Sequence, residues 1–134
     1  MLLSVQSTSR TEFIDVTQKL QTMVAETGVE SGLCLLFVPH TTAAVTINEN
    51  ADPSVPVDIL KILNQVVPWQ ADYRHLEGNS AAHIKSTLVG ASQTVAIAEG
   101  RLVLGTWQAV FFCEFDGPRR RQLHVRIWEG AFTE

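Results

Sequence analysis

Cysteine is scarce in this chain of 134 residues, which contains only Cys34 and Cys113. Each stands among large apolar residues, a setting typical of buried thiols and not of a disulfide framework. The chain has no CxxC pair, so a cysteine-based metal site has no support.

Long hydrophobic runs are also missing. The longest run, residues 33–38, ends at Pro39 and is far shorter than the roughly 20 residues that a helix needs to cross a bilayer. We therefore expect no membrane span and no membrane partner. The first six residues lack the basic start and long apolar stretch of a secretory signal, which predicts a cytoplasmic protein.

Basic residues are fewer than acidic ones, with 10 Lys and Arg against 14 Asp and Glu. The net charge is −4 and the isoelectric point is near 5.5, which argues against a nucleic-acid partner because phosphate backbones are bound by basic faces. The exception is Arg119–Arg121, which follows the turn residues Asp116, Gly117 and Pro118. This cluster suits a small anion or a phosphate. The alternative is a solvated turn.

The chain does contain enough apolar residues, 46%, to bury a core, with only 18% charged residues. Its length fits one compact domain over residues 1–134, and no repeat or low-complexity linker divides it. Neither GxGxxG nor GxxxxGK[ST] occurs, so nucleotide binding through those loops is not expected.

Hydrophobic periodicity predicts an α+β domain with a mostly antiparallel sheet, two longer helices and one short helix. The first helix is predicted from Glu12, with Thr11 as its cap and Gly28 after its end. A second helix ends before Pro68, and a short third one runs from Asn79 or Ser80 to Leu88. The predicted strands cover residues 3–7, 32–38, 43–48, 94–98, 102–104, 107–115 and 122–128, with 32–38 as a central strand buried on both faces.

Three of the four histidines lie at breaks between elements or in the polar segment 69–80. These are His40, His75 and His83. Imidazole nitrogens and nearby carboxylates are common ligands of divalent metals, so the three histidines are candidate metal ligands. The alternative is that each is an ordinary hydrogen-bonded histidine.

Carboxylates supply the candidate acid and base groups. Strand alternation places Gln108 and Glu114 on one face, and phenylalanines nearby would raise the pKa of Glu114 unless a cation pairs with it. Glu114 is therefore a candidate base or metal ligand, and its alternative role is an ion pair with Arg101 or Arg126. Asp52 is either catalytic or a helix cap before Pro53.

Anion binding is predicted at the start of the short helix. Gly78, Asn79 and Ser80 would direct free N–H groups and the positive helix end at a phosphate. Lys85 and Arg119 are close enough in sequence to add positive charge. The combination favours a phosphorylated small-molecule substrate.

Four segments in order along the chain resemble the YjbQ family. They read PHTTAAVTINENADP at 39–53, EGNSAAHIKS at 77–86, GRLVLGTWQ at 100–108 and EFDGPR at 114–119. The resemblance implies a small α+β fold that assembles as a homotrimer. It also implies a thiamine-phosphate synthase activity, which joins a pyrimidine pyrophosphate to a thiazole phosphate and releases pyrophosphate.

The resemblance also implies roles for residues in one shared cleft. A divalent cation, Mg²⁺ or Zn²⁺, would be held or oriented by Asp52, Glu49 and His83, with His40 and His75 as further ligands. Lys85 or Arg119 would neutralise phosphate, and Glu114 or His40 would manage a proton. Asn48, Asn79 and Gln108 would contact substrate. The alternative function is a trimeric protein that binds a metal or a small anion without turnover.

Overall fold

The computed structural model describes residues 1–133, which form eight strands and three helices. In chain order these are β1 (Leu2–Gln6), β2 (Glu12–Asp15), α1 (Thr17–Thr27), β3 (Gly32–Phe37), β4 (Ala43–Glu49), α2 (Ser54–Val66), α3 (Ser80–Val89), β5 (Ser92–Ala98), β6 (Arg101–Leu102), β7 (Gln108–Glu114) and β8 (Arg120–Glu129). No helix among these residues is long and apolar enough to cross a membrane.

The strands form two antiparallel sheets. One has the order β1-β8-β3-β5-β6, and the other has the order β2-β7-β4. The prediction of an α+β fold with mostly antiparallel strands and three helices is therefore confirmed. The predicted strand ends agree with the observed ones to within two residues.

The three-stranded sheet separates two hydrophobic cores. Alternation along its strands sends Val110 and Phe112 into a large core shared with the five-stranded sheet and α1. It sends Phe111 and Cys113 into a smaller core. The smaller core also contains Ala82 of α3, and residues of α2 pack against it. The helices α2 and α3 therefore lie on the face of the three-stranded sheet that points away from the larger core.

The first helix begins later than predicted. Residues 12–15 form β2 and pair with β7, and Thr11 caps nothing there. The Asp15 carboxylate instead accepts a hydrogen bond from the Thr17 N–H at 2.9 Å. Gly28 does end the helix, in the left-handed conformation with φ of 73° that glycine adopts readily.

The central strand β3 is buried on one face only. Its inward residues Cys34 and Leu36 are fully buried, while Leu33 and Phe37 on the other face are exposed. The prediction of burial on both faces was wrong, because no helix of the described chain covers that side. The two thiols are buried and free as predicted, and burial raises the pKa of Cys34 to about 11.

Candidate functional site

A polar cleft of about 490 Å³ opens where the start of α3 meets the segments on either side of the small sheet. We call it the histidine cleft. One wall comes from the segment between α2 and α3, another from the residues before β4, and a third from the turn between β7 and β8. Its lining residues are Thr41, Thr42, Trp69, His75, Glu77, Asn79, His83, Asp116 and Arg119.

His75 and His83 form the centre of this cleft. His75 lies in the segment between the helices and His83 in the first turn of α3. Their rings stand almost perpendicular, at 89°, with centroids 5.4 Å apart. The Nε2 atom of His75 lies 3.9 Å from a carboxylate oxygen of Glu77. Two adjacent imidazoles can donate and accept hydrogen bonds and can transfer a proton to or from a bound molecule.

The opposite wall holds a positive charge in a defined position. The Arg119 guanidinium donates to the Asp116 backbone carbonyl at 2.9 Å and to the Asp116 carboxylate at 3.2 Å. The same carboxylate accepts a hydrogen bond from the Asn79 side-chain amide at 2.9 Å. Arg119 is exposed to solvent and keeps N–H groups free for an anion.

Asn79 has an unused acceptor at the start of α3. Its Oδ1 atom is buried and has no hydrogen-bond partner among residues 1–133. Its side chain does not cap the helix, since that amide is turned toward Asp116. The helix start predicted to face a phosphate does lie at the cleft, together with His83 and Arg119.

His40 is not part of the histidine pair. Its Nε2 atom accepts the backbone N–H of Gln122 at 2.9 Å. Burial and the nearby Arg121 guanidinium lower the pKa of His40, which keeps the imidazole neutral. In residues 1–133 no three side chains of His, Cys, Asp or Glu are placed to hold a metal ion. The expected set of His40, His75 and His83 therefore does not form among the described residues.

Glu114 is buried below the cleft and not exposed within it. Its carboxylate accepts hydrogen bonds from Arg121 Nε at 2.9 and 3.1 Å and from the Ser7 hydroxyl at 2.6 Å. Burial raises the pKa of Glu114, but the hydrogen bonds from Arg121, Ser7 and the Asp116 N–H, with the positive charge of Arg121, outweigh it and lower the pKa overall. A carboxylate with these partners is a poor base.

The cation that pairs with Glu114 is Arg121, whereas the sequence suggested Arg101 or Arg126. Arg101 and Arg121 both lie in the five-stranded sheet, Arg101 on the edge strand β6 and Arg121 at the start of β8, seven residues after Glu114. Arg126 pairs in register with Leu35 on β3, away from Glu114.

Lys85 does not reach the histidine cleft. It is 1% exposed, and its ammonium group donates a hydrogen bond to the side-chain carbonyl of Asn64 on α2. Burial lowers the pKa of Lys85, and the charge of Arg10 lowers it further. The expectation that Lys85 neutralises a phosphate was wrong, because its side of α3 packs against the protein interior.

Four further candidates lie at the far end of the small sheet. In the β4–β7 pairing, Ala43 opposes Glu114 at the end near the cleft, and Glu49 opposes Gln108 at the other end. Six strand residues at about 3.3 Å each separate the two ends by about 20 Å. The structure therefore does not bring Asn48, Glu49, Asp52 and Gln108 to the histidine cleft.

Asp52 lies at the start of α2, where the cap position itself is held by Pro53 and no side-chain cap hydrogen bond forms. Its carboxylate accepts the Ser54 N–H at 2.9 Å and the Ser54 hydroxyl at 2.7 Å, immediately before α2. These hydrogen bonds lower the pKa of Asp52. The Gln108 side chain is likewise engaged locally, since its Oε1 accepts the Gly105 N–H at 2.7 Å.

Trp69 and the Thr41–Thr42 pair line the cleft but were not singled out as candidates from the sequence. Trp69 packs against the smaller core, and the Arg10 guanidinium carbon lies 4.2 Å from its ring centroid. The sequence did contain a signal for Trp69, since it is an aromatic residue at the start of the irregular segment between two helices. Such segments often carry binding residues.

The comparisons with known proteins all lead to one family. The family model described as "UPF0047 protein YjbQ-like" matches residues 1–130. The chain is 52% identical to UPF0047 protein YugU of Bacillus subtilis over 126 residues, covering 93% of this chain and 96% of that protein. It is 51% identical to UPF0047 protein MJ1081 of Methanocaldococcus jannaschii over 123 residues, covering 92% and 89%.

Solved structures agree with these matches. The crystal structure of an uncharacterised conserved YjbQ/UPF0047 protein from Clostridium acetobutylicum superimposes with a TM-score of 0.93 at 50% identity, covering 96% of this chain and 99% of that one. The conserved hypothetical protein TT1486 from Thermus thermophilus gives 0.89 at 43% identity, with coverage of 96% and 99%. With the family model matched over nearly its whole length, this chain belongs to the YjbQ-like UPF0047 family.

Proposed function

We propose that the histidine cleft binds a phosphorylated small molecule and releases pyrophosphate from it in a transfer of the thiamine-phosphate synthase type. The observation that carries the proposal is the meeting of the His75–His83 pair with the exposed Arg119 in one cleft. A volume of about 490 Å³ is in the range of small-molecule sites. Arginine and imidazole are groups that recognise phosphate and handle its protons.

The reaction needs a positive charge and a hydrogen-bond or proton donor at the leaving pyrophosphate, and these residues supply both. A ring nitrogen of the thiazole phosphate attacks the methylene carbon of the pyrimidine pyrophosphate. A C–N bond forms, the C–O bond breaks, and pyrophosphate leaves with the electron pair. Arg119 neutralises the negative charge that develops on the leaving group. His75 or His83 donates a hydrogen bond or a proton to a pyrophosphate oxygen.

A divalent metal fits this cleft only in part. The cleft offers two imidazoles and the partnerless Oδ1 of Asn79, but no third His, Cys, Asp or Glu side chain of the described chain joins them. Arg119 is therefore the residue that neutralises the charge of the leaving group. A requirement for Mg²⁺ or Zn²⁺ stays a prediction, and a chelator tests it.

The homotrimer is also part of the proposal. The face of the five-stranded sheet opposite the large core carries Leu2, Leu33, Phe37 and Trp128, all exposed. The strand pairings place them on one side, since Leu2 and Phe37 both oppose His124, and Leu33 opposes Trp128. An exposed apolar sheet face favours contact with further copies of this chain. Light scattering on the purified protein measures its mass in solution, and the mass of a monomer would overturn the proposed homotrimer.

Pyrophosphate release tests the transfer reaction. The protein is incubated with the pyrimidine pyrophosphate and the thiazole phosphate, with Mg²⁺, with Zn²⁺ or with a chelator, and both pyrophosphate and the joined product are measured. His75→Ala, His83→Ala and Arg119→Ala should each lower turnover at least tenfold. Arg120→Ala and Lys19→Ala are the controls, because Arg120 is exposed beside Arg119 and Lys19 is exposed on α1.

Each outcome has a distinct meaning. Turnover that falls in the cleft variants and not in the controls supports the transfer. Binding of pyrophosphate that depends on Arg119 without any turnover overturns the enzyme and supports the non-catalytic anion-binding alternative. Equal behaviour of cleft and control variants overturns the assignment of the histidine cleft.

A further inference from the structure

The turn that carries Asp116 and Arg119 is held from below by buried polar groups. The Glu114 carboxylate accepts the backbone N–H of Asp116 at 3.0 Å. The Ser7 hydroxyl donates to that carboxylate and its oxygen accepts the backbone N–H of Arg119 at 2.9 Å. The backbone of Ser7 also donates to the Arg119 carbonyl at 3.1 Å. Both ends of the turn are thus hydrogen bonded to one buried cluster.

The same cluster holds a second wall of the histidine cleft. The Arg121 guanidinium, paired with Glu114, donates to the Thr42 hydroxyl at 2.8 Å and to the Thr42 carbonyl at 3.2 Å. Ser7, Glu114 and Arg121 are each no more than 3% exposed, and none of them lines the histidine cleft. Yet the residues that they hold, Thr42 and Arg119, both line the cleft.

Close packing leaves this turn little room to move. A Cβ atom at Gly117 would lie 2.3 Å from the Ser9 carbonyl, 2.7 Å from the Ser7 hydroxyl and 2.8 Å from the Glu114 side chain. The backbone therefore rests directly on the cluster. A hydrogen-bonded layer under a binding residue lowers the entropy that the residue loses when a ligand binds.

We propose that Ser7, Glu114 and Arg121 are positioning residues that fix Arg119 and Thr42 at the histidine cleft for a phosphate or pyrophosphate group. This inference rests on the proposed function. None of the three contacts the ligand. They act by holding the Arg119 backbone, so that its guanidinium approaches the anion from one direction.

Ser7→Ala tests the inference with the smallest change. The variant removes one hydroxyl at a site where alanine fits, and it leaves the Glu114–Arg121 pair in place. Pyrophosphate binding is measured by calorimetry in the whole protein. Greater freedom of the Arg119 side chain and its turn should raise the Kd for pyrophosphate about tenfold. Ser4→Ala is the matched control, because Ser4 lies on β1 three residues earlier and is exposed.

A double-mutant cycle separates positioning from a purely structural role. In the Arg119→Ala background, Ser7→Ala should leave the Kd for pyrophosphate unchanged, because no guanidinium remains to be positioned. Its loss of thermal stability should be the same in both backgrounds. A tenfold loss of affinity in both backgrounds, or none in the wild-type background, overturns the positioning role and leaves the proposed function standing. Absence of pyrophosphate binding to the wild-type protein overturns both.

Discussion

The buried ammonium group of Lys85 should make the protein less stable than its apolar counterpart. Lys85 is 1% exposed and has one hydrogen-bond partner, Asn64. No carboxylate of residues 1–133 lies within ion-pair distance of it, and Arg10 adds like charge. Its desolvation is therefore not offset by an opposite charge. Replacement of Lys85 by Met and of Asn64 by Leu removes the buried charge and the side-chain carbonyl that would lose its partner. It also removes the hydrogen bond that the Asn64 side-chain amide donates to the Thr11 hydroxyl at 3.2 Å.

The size of the effect follows from the degree of burial. Replacing a buried ion pair by apolar residues of similar volume is often neutral or stabilises by about 1–4 kcal/mol. Because Lys85 has no opposite charge to offset its desolvation, we take about 2 kcal/mol here. At about 2.1 cal/mol/K per residue, the unfolding entropy of 134 residues is about 0.28 kcal/mol/K. The double variant should therefore melt about 7 °C higher at pH 7.

The gain should also depend on pH. The pKa of Lys85 is lowered in the folded protein, so its protonated form opposes folding at every pH below that lowered value. The penalty disappears as pH rises from there toward about 10.4, the value for an unfolded lysine. The difference in Tm between variant and wild type should therefore shrink in alkaline buffer.

Thermal unfolding followed by circular dichroism measures both effects at one protein concentration. Lys61→Met is the control, since Lys61 is exposed on α2 and its replacement should change Tm by no more than about 2 °C. A double variant that melts at or below the wild-type temperature would refute the reasoning and show that the Lys85–Asn64 hydrogen bond contributes more than desolvation costs.

Three other predictions concern the buried groups. Glu114→Gln should lower the free energy of unfolding by about 3–5 kcal/mol at pH 7, because it leaves Arg121 buried without its partner. Since folding lowers the pKa of Glu114, the difference in unfolding free energy between variant and wild type should narrow as the pH falls below the usual carboxyl range. Chemical unfolding at pH 7 and pH 3 measures this difference. Gly117→Ala should lower the stability by about 1–3 kcal/mol through contact with the Ser9 carbonyl, whereas Gly130→Ala, which meets nothing within 4 Å, should not. Neither thiol should react with a disulfide reagent at pH 7.5 in the folded protein, and both should react in denaturant, because burial raises their pKa values and blocks access.

Much of the fold was predictable because alternation and helical spacing are local signals. The strand β2 was missed since Phe13, Val16 and Leu20 happen to recur at helical spacing. Its true conformation is decided by pairing with β7, about a hundred residues later. No local pattern reports such a pairing. The ion-pair partner of Glu114 was missed for the same reason. The sequence contains several arginines, and only the folded chain shows that Arg121, at the start of β8, pairs with Glu114.

The candidate site was predictable in part. The interhelical segment and the start of α3 did bring His75, Asn79 and His83 together, as the sequence indicated. Lys85 stands only two positions after His83, which places it on the other side of a helix. Strand length likewise separates Gln108 from Glu114 by about 20 Å. The Lys85 error arose from treating nearness in sequence as nearness in space, whereas Gln108 was placed at the site by the family resemblance.

The division of the interior by the three-stranded sheet has a consequence for motion. The layer that carries His83 is anchored through the smaller core alone, while the larger core is closed by β-structure and α1. Separation of α2 and α3 from the sheet would thus expose the smaller core and leave the larger core dry. Amide hydrogens in α3 should therefore exchange with solvent at a lower free-energy cost than those in β3 and β8, so the wall that carries His83 can move without global unfolding.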